Sequence, residues 1–213
     1  DCNINVSYIL DWIQKEKRKM SKQSQITHWC HEIIRSQAER EGFYIDATMG
    51  KGNDTKLLCE LAKDQGRILA FDIQKEALEE TEKMLNGYEI GRKMYEDGRI
   101  QLILDGHEHM GMYAESETVD VICFNFGYLP GGDHRIATKV ETSVEAIKKG
   151  LKILKRGGMM SLCIYSGGDT GFEEKDAILE YLRSLPAREY TVIQNTYFNR
   201  GNNPPMPVFI FKE

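Results

Sequence analysis

An α/β fold with an open, mostly parallel, Rossmann-like sheet is predicted by three features of the chain. Apolar runs of strand length alternate with helix-period segments from residue 43 onward. The first run, Phe43-Tyr44-Ile45, ends in Asp46-Ala-Thr-Met-Gly-Lys-Gly-Asn-Asp-Thr55, a glycine turn that enters a helical pattern (Leu57, Leu58, Leu61). The last two apolar runs have no helix between them, which predicts a closing antiparallel hairpin at the sheet edge.

The elements follow in order. Ile9, Trp12 and Ile13, then Ile26, Trp29, Ile33 and Ile34, recur at helical spacing, so residues 1–41 read as a helical extension divided near Ser21 to Ser24. Residues 42–213 read as one domain. Within it the pattern predicts a strand over 43–47, a helix over 54–64, a strand over 67–73, a helix over 75–86 and strands over 100–104 and 119–124. A helix over 139–155 is expected to stop at the Gly157-Gly158 pair, followed by a strand over 159–165 and a helix over 173–184. Strands over 191–198 and 208–212 flank Asn199-Arg-Gly-Asn-Asn-Pro-Pro205 and close the domain.

Composition narrows the class. With 41% hydrophobic and 29% charged residues the chain reads as globular, with no apolar run of membrane-spanning length and no signal-peptide layout. Its five cysteines are scattered and form no CxxC pair, which indicates buried thiols in a reducing cytoplasm rather than disulfides or a zinc site. No metal-ligand spacing appears among the histidines, and His28 and His31 read as a solvated helix face. A net charge of −5 does not announce a nucleic-acid binder. Two basic runs stand out, Lys15 to Lys22 and Lys148 to Arg156, and each reads equally as a solvated helix face or an RNA-contacting surface.

The chemistry is expected beyond the carboxyl ends of the strands, where Asp46, Asp72, Asp105, Asn125 and Tyr165 fall one after another. A dinucleotide fingerprint requires a third glycine where this chain has Thr55. An acidic residue closing the first strand and a short glycine turn fit S-adenosylmethionine better, because Asp46 and Asp54 supply carboxylates for its sulfonium and ammonium groups. The segment Asn125-Phe-Gly-Tyr128 has the outline of the Asn-Pro-Pro-Tyr loop of amino-group methyltransferases, with both prolines replaced. It reads equally as a tight turn with Tyr128 capping the core.

Several blocks together resemble the bacterial class I methyltransferases labelled rRNA methylases, a family associated with the tRNA wobble-uridine enzyme acting on 5-aminomethyl-2-thiouridine. They are Asp46 to Thr55, Ala70-Phe-Asp-Ile-Gln74, Gly106-His107, Phe124-Asn-x-Gly-Tyr-Leu-Pro-Gly-Gly-Asp133, Tyr165 to Glu174 and Asn203-Pro-Pro205. The resemblance implies a seven-stranded class I methyltransferase sheet with a reversed final strand, and S-adenosylmethionine as cofactor. It places Asp46, Gly50, Gly52, Asn53 and Asp54 around the methionine portion, Asp72 and Gln74 at the ribose, and Asp105, Gly106 and His107 by the adenine. Asn125, Tyr128 and Asp133 would serve the substrate amine, with Asp133, His107 or solvent as proton acceptor and His107 equally a structural neighbour.

The implied partner is tRNA, at its anticodon region. Ribosomal RNA or a small amine as acceptor, and a noncatalytic cofactor-binding partner of a modification enzyme, are the alternatives. The first twenty or so residues exceed the family's usual start; an RNA-contacting extension, a lid, a homodimer contact and a packed surface helix are all open for them.

Overall fold

The computed structural model describes residues 24–126, 140–165, 171–201 and 203–213. Its elements are α1 (Ser24–Gln37), β1 (Phe43–Asp46), α2 (Asn53–Ala62), β2 (Arg67–Asp72), α3 (Lys75–Asn86), α4 (Glu89–Glu96) and β3 (Ile100–Leu104). A 3-10 helix (His107–Met112), β4 (Val119–Phe126), α5 (Val140–Ile153), β5 (Leu154–Ile164), α6 (Gly171–Arg183), β6 (Tyr190–Gln194) and β7 (Met206–Lys212) complete the chain. The strands form one seven-stranded sheet in the order β3-β2-β1-β4-β5-β7-β6. All pairings are parallel up to β5, and β7 runs antiparallel to both β5 and β6.

Helices cover both faces, and strand alternation sorts the side chains between them. Ile45, Ile122, Phe124 and Phe126 face a cluster that α5 and α6 close with Ala146, Ile147, Leu151, Ile178 and Leu182. Their neighbours Tyr44, Val121 and Cys123 face the opposite cluster, which Ile26, Cys30 and Ile34 of α1 and Leu57, Leu58 and Leu61 of α2 complete. Helix α1 is therefore part of the core. The first basic run and the first of the two helices expected in the extension lie outside the described residues.

Three departures from the sequence expectation have physical causes. Helix α4 was not expected, because Gly91 interrupts a polar run; packing of the fully buried Met94, and of the partly buried Tyr88 just before the helix, against the core forms it. The Gly157-Gly158 pair does not end a helix but lies inside β5, which starts at Leu154. Gly157 adopts φ 75°, and the β4–β5 register shifts between Val119 and Val121, so the pair makes a bulge. Strand β6 ends at Gln194, opposite Val208, rather than at Phe198. Continuing that register would set Tyr197 and Phe198 against Pro205 and Pro204, which have no N–H to donate.

The second basic run lies where α5 ends and β5 begins, at the amino edge of the sheet. Lys155 is held there by Glu39 and Asp120, Lys149 pairs with Glu145, and Arg156 donates to the Glu213 carbonyl.

Candidate active site

The carboxyl edge gathers the polar residues that punctuate the strands. Asp46 closes β1 in register with Ala70 of β2 and Cys123 of β4, and is fully buried. Its carboxylate accepts hydrogen bonds from the Thr48 backbone N–H at 3.2 Å and from Thr55 Oγ1 at 2.6 Å. Burial first, and the charge of Asp54 second, push its carboxyl up to about 7.

The glycine turn follows directly. Gly52 adopts φ 75° at the start of α2, and a Cβ there would lie 2.5 Å from Met84 Cε and 3.1 Å from Thr81 Oγ1. Glycine thus serves both the left-handed backbone and the close approach of α3. Thr81 Oγ1 donates to the Gly50 carbonyl at 3.2 Å. Asp72, at the end of β2, accepts from the N–H groups of Gly50 and Gln74 at 3.1 and 3.0 Å, so one carboxylate fastens the turn to the neighbouring strand. Burial raises its pKa.

Asp54, in the first turn of α2, joins two further elements. Asn125 Nδ2 donates to its Oδ2 at 2.8 Å, and His31 Nε2 of α1 lies 2.6 Å from its Oδ1. A carboxylate only accepts, so the Asn125 amide nitrogen must face it, and the Asn125 carbonyl oxygen remains as an acceptor. Asn125 lies within β4 rather than beyond it, and its backbone N–H donates to Thr48 Oγ1 at 2.7 Å. His31, Asp54 and Asn125 thus form a chain across α1, α2 and β4. By sequence His31 reads as part of a solvated helix face, yet its side chain is only 17% exposed. Its signal in the sequence was weak, since the contact spans 23 residues and needs the fold to close it.

Past β3, Asp105 accepts from the Gly106 N–H and Tyr113 hydroxyl at 2.7 and 2.9 Å, and pairs with His109 Nδ1 at 2.7 Å. The His109 contact leads in lowering the carboxyl's pKa. His107 is buried, with its ring edge-on to Phe124 and Phe126 at 5.8 and 6.0 Å. Those rings sit on the face opposite Cys123 and Asn125, and burial lowers the imidazole pKa. Ile73 and Leu104, at the ends of β2 and β3, are 60% and 54% exposed. Apolar side chains left in water beside Asp72 and Asp105 suit a flat, partly apolar ligand group, and the sequence reading had not singled them out. Tyr128 and Asp133 lie outside the described residues, as does the rest of 127–139 and the 166–170 segment.

The arrangement fits the cofactor expected from the sequence. A buried carboxyl at the first strand end, a second at the helix N-terminus and a third at the second strand lie around one glycine turn. Among the described residues no cluster suited to a metal ion occurs, and no helix is long and apolar enough to cross a membrane.

Comparison with known proteins gives a consistent picture. The family described as "Putative rRNA methylase" matches residues 68–211. The chain is 33% identical over 191 residues to a chloroplastic tRNA (mnm5s2U34)-methyltransferase of Arabidopsis thaliana, covering 87% of this chain and 68% of that protein. A structure from Clostridium thermocellum, named an rRNA-methylase, is 36% identical with a TM-score of 0.80, covering 92% of this chain and all of that one. A Streptococcus mutans structure, named "a putative methyltransferase" and solved in complex with SAH, is 34% identical with a TM-score of 0.75, covering 91% and 99% of the two chains.

Proposed function

The chain belongs to the rRNA methylase family and is an S-adenosylmethionine-dependent methyltransferase; from that premise we propose that it methylates the aminomethyl nitrogen of a 5-aminomethyl-(2-thio)uridine at the tRNA wobble position. The observation that carries this reading is the state of Asn125. Its amide nitrogen is committed to Asp54, so its carbonyl oxygen remains to accept a hydrogen bond from an amine at the carboxyl end of β4. The resemblance of the Arabidopsis enzyme supports the choice of acceptor.

S-adenosylmethionine supplies an electrophilic methyl group on a sulfonium centre. The side chains of this protein bind and orient. Asp46 and Asp54 offer negative charge beside the glycine turn, Asp72 and Gln74 meet the ribose, and Ile73 and Leu104 flank the adenine. Asn125 would hold and orient the acceptor amine, so the rate gain is one of orientation, and the family resemblance assigns Tyr128 to the planar base. An alkylammonium has no lone pair, so its proton must leave before transfer. His107 is a poor acceptor for it, being buried on the far face of the sheet; Asp133 or solvent takes it in this reading.

The test is incubation with labelled cofactor and tRNA from cells lacking the final methylation, followed by digestion to nucleosides. Label in methylaminomethyl-uridine is expected. Label confined to ribosomal RNA, or to no RNA, would overturn the assignment.

A further inference from the structure

Between β6 and β7 the chain places an aromatic side chain in open solvent beside the active site. Phe198 is 104% exposed, whereas its neighbour Tyr197 packs against the cluster that includes Cys123, Cys163 and Tyr165. The Arg200 guanidinium lies 4.2 Å from the centre of the Tyr197 ring. A side chain as apolar as Phe gains nothing from full hydration, and a lone exposed ring needs no explanation by itself. Here it sits next to an Arg–Tyr stack, with Asn195, Asn199 and Asn203 in the same loop. That mixture of ring, guanidinium and amide groups is what unpaired nucleotides stack on and hydrogen-bond to.

Its position follows from the sheet register. Asn125 pairs with Cys163 of β5, and Cys163 pairs with Pro207 of β7. With neighbouring strands about 4.8 Å apart, the Pro207 backbone lies about 10 Å from that of Asn125. The Asn195 N–H donates to the Pro207 carbonyl at 2.9 Å, so the loop leaves the sheet one strand further on, at the same edge. Tyr197 fixes it to the face that carries Cys123 and hence the Asn125 side chain. Pro204 and Pro205, with their fixed φ, stiffen its return into β7.

We infer that the Asn195–Pro205 loop is a stacking platform for a single-stranded nucleotide adjoining the methylated one, with Phe198 stacking on the base and Arg200 meeting the phosphate backbone. This rests on the proposed RNA substrate and specifies which part of the chain grips it. It also answers how a protein of net charge −5 holds a polyanion. Stacking is insensitive to net charge, and each base stacked on an aromatic ring contributes about 1–3 kcal/mol.

The probe is an unmodified anticodon stem-loop RNA carrying 2-aminopurine next to the wobble position, titrated with the full chain in the presence of S-adenosylhomocysteine. Phe198→Ala is expected to weaken binding about ten-fold and to abolish the 2-aminopurine quench, while Phe198→Trp restores both. Arg200→Gln is expected to weaken binding several-fold and to reduce the slope of log affinity against log salt by about 0.7, the single-strand value for one phosphate contact. S-adenosylhomocysteine affinity, measured by calorimetry, stays unchanged in every variant. Stem-loop affinity unaltered in Phe198→Ala would overturn the inference, as would a change in sedimentation coefficient in that variant without loss of RNA binding, since the loop would then cover a protein surface. Phe198-dependent binding by a wild-type chain that methylates no wobble uridine would leave the platform standing and remove the substrate assignment alone.

Discussion

A carboxyl with no exposed surface resists ionisation, and Asp46 pairs that burial with the neighbouring charge of Asp54. Burial and the Asp54 charge raise its pKa to about 7 in the fold, against 3.8 for an unperturbed aspartate. Between those values the native state binds more protons than the unfolded chain, so this residue's contribution is full below pH 4 and is lost as pH rises through about 7. The difference sets a ceiling of about 4 kcal/mol. Urea unfolding of the ligand-free protein across pH 5 to 8 should therefore fall less steeply with pH in Asp46→Asn than in the wild type. The same variant should bind S-adenosylmethionine more weakly, since it removes a carboxylate whose negative charge acts through space on a cation at the turn. Parallel stability profiles in the two proteins would show that Asp46 is not the titrating group. His31 acts one step removed, by holding the carboxylate that holds Asn125. His31→Ala should lower kcat more than it raises KM for cofactor, and His31→Gln, which keeps a donor, should recover part of the loss. Equal losses in the two variants would reduce His31 to a packing residue.

At the scale of elements, legibility followed how local the cause was. The strand ends and the glycine turn were readable because each apolar run leads directly into its polar residue, and the partners Thr48 and Thr55 of Asp46 and Gln74 of Asp72 are at most nine residues away, although the Asp72–Gly50 bond that fastens the turn spans 22 residues. Helix α4 was not readable, because its local sequence argues against it: Gly91 sits in its middle, and Met94 is its one fully buried apolar side chain. Glycine there serves packing, for a Cβ would lie 2.3 Å from the Tyr88 ring. Propensity alone predicts that Gly91→Ala stabilises by about 1 kcal/mol. The contact predicts the reverse, a net loss of about 1–2 kcal/mol as Tyr88 is displaced. Chemical denaturation decides between them, and a stabilised variant would mean that the ring gives way freely. The β5 bulge escaped for a similar reason: a glycine pair after a helix pattern looks like a stop, and the Gly158 approach to within 3.0 Å of the Asp120 carbonyl, measured from its would-be Cβ, exists only once β4 and β5 pair.

For the whole molecule the proposed RNA substrate raises the question of where a polyanion can approach an acidic protein. The cationic run over 148–156 is the obvious sequence candidate, and the fold places it at the wrong end. Helix α5 descends from the carboxyl edge, so Lys152, Lys155 and Arg156 gather where β5 starts, at the amino edge, with the length of the strands between them and Asn125. Two of them are also engaged: Lys155 with Glu39 and Asp120, Arg156 with the Glu213 carbonyl. A cavity of about 690 Å³ does open beside Lys149, Lys152 and Arg156, but Glu108, Glu117 and Glu189 share its lining, so it presents no single sign of charge to a phosphate backbone. The Lys149–Glu145 pair is exposed, and such pairs contribute little to stability, so Lys149 and Lys152 can be neutralised without unfolding the chain. The double variant Lys149→Gln, Lys152→Gln should therefore keep the KM for tRNA within about two-fold of wild type and leave the salt dependence of binding unchanged. Had either lysine contacted phosphate, the slope of log affinity against log salt would drop by about 0.7–0.9 for each. Such a drop would move the RNA surface to the amino edge and require the substrate to wrap around the sheet to reach Asn125.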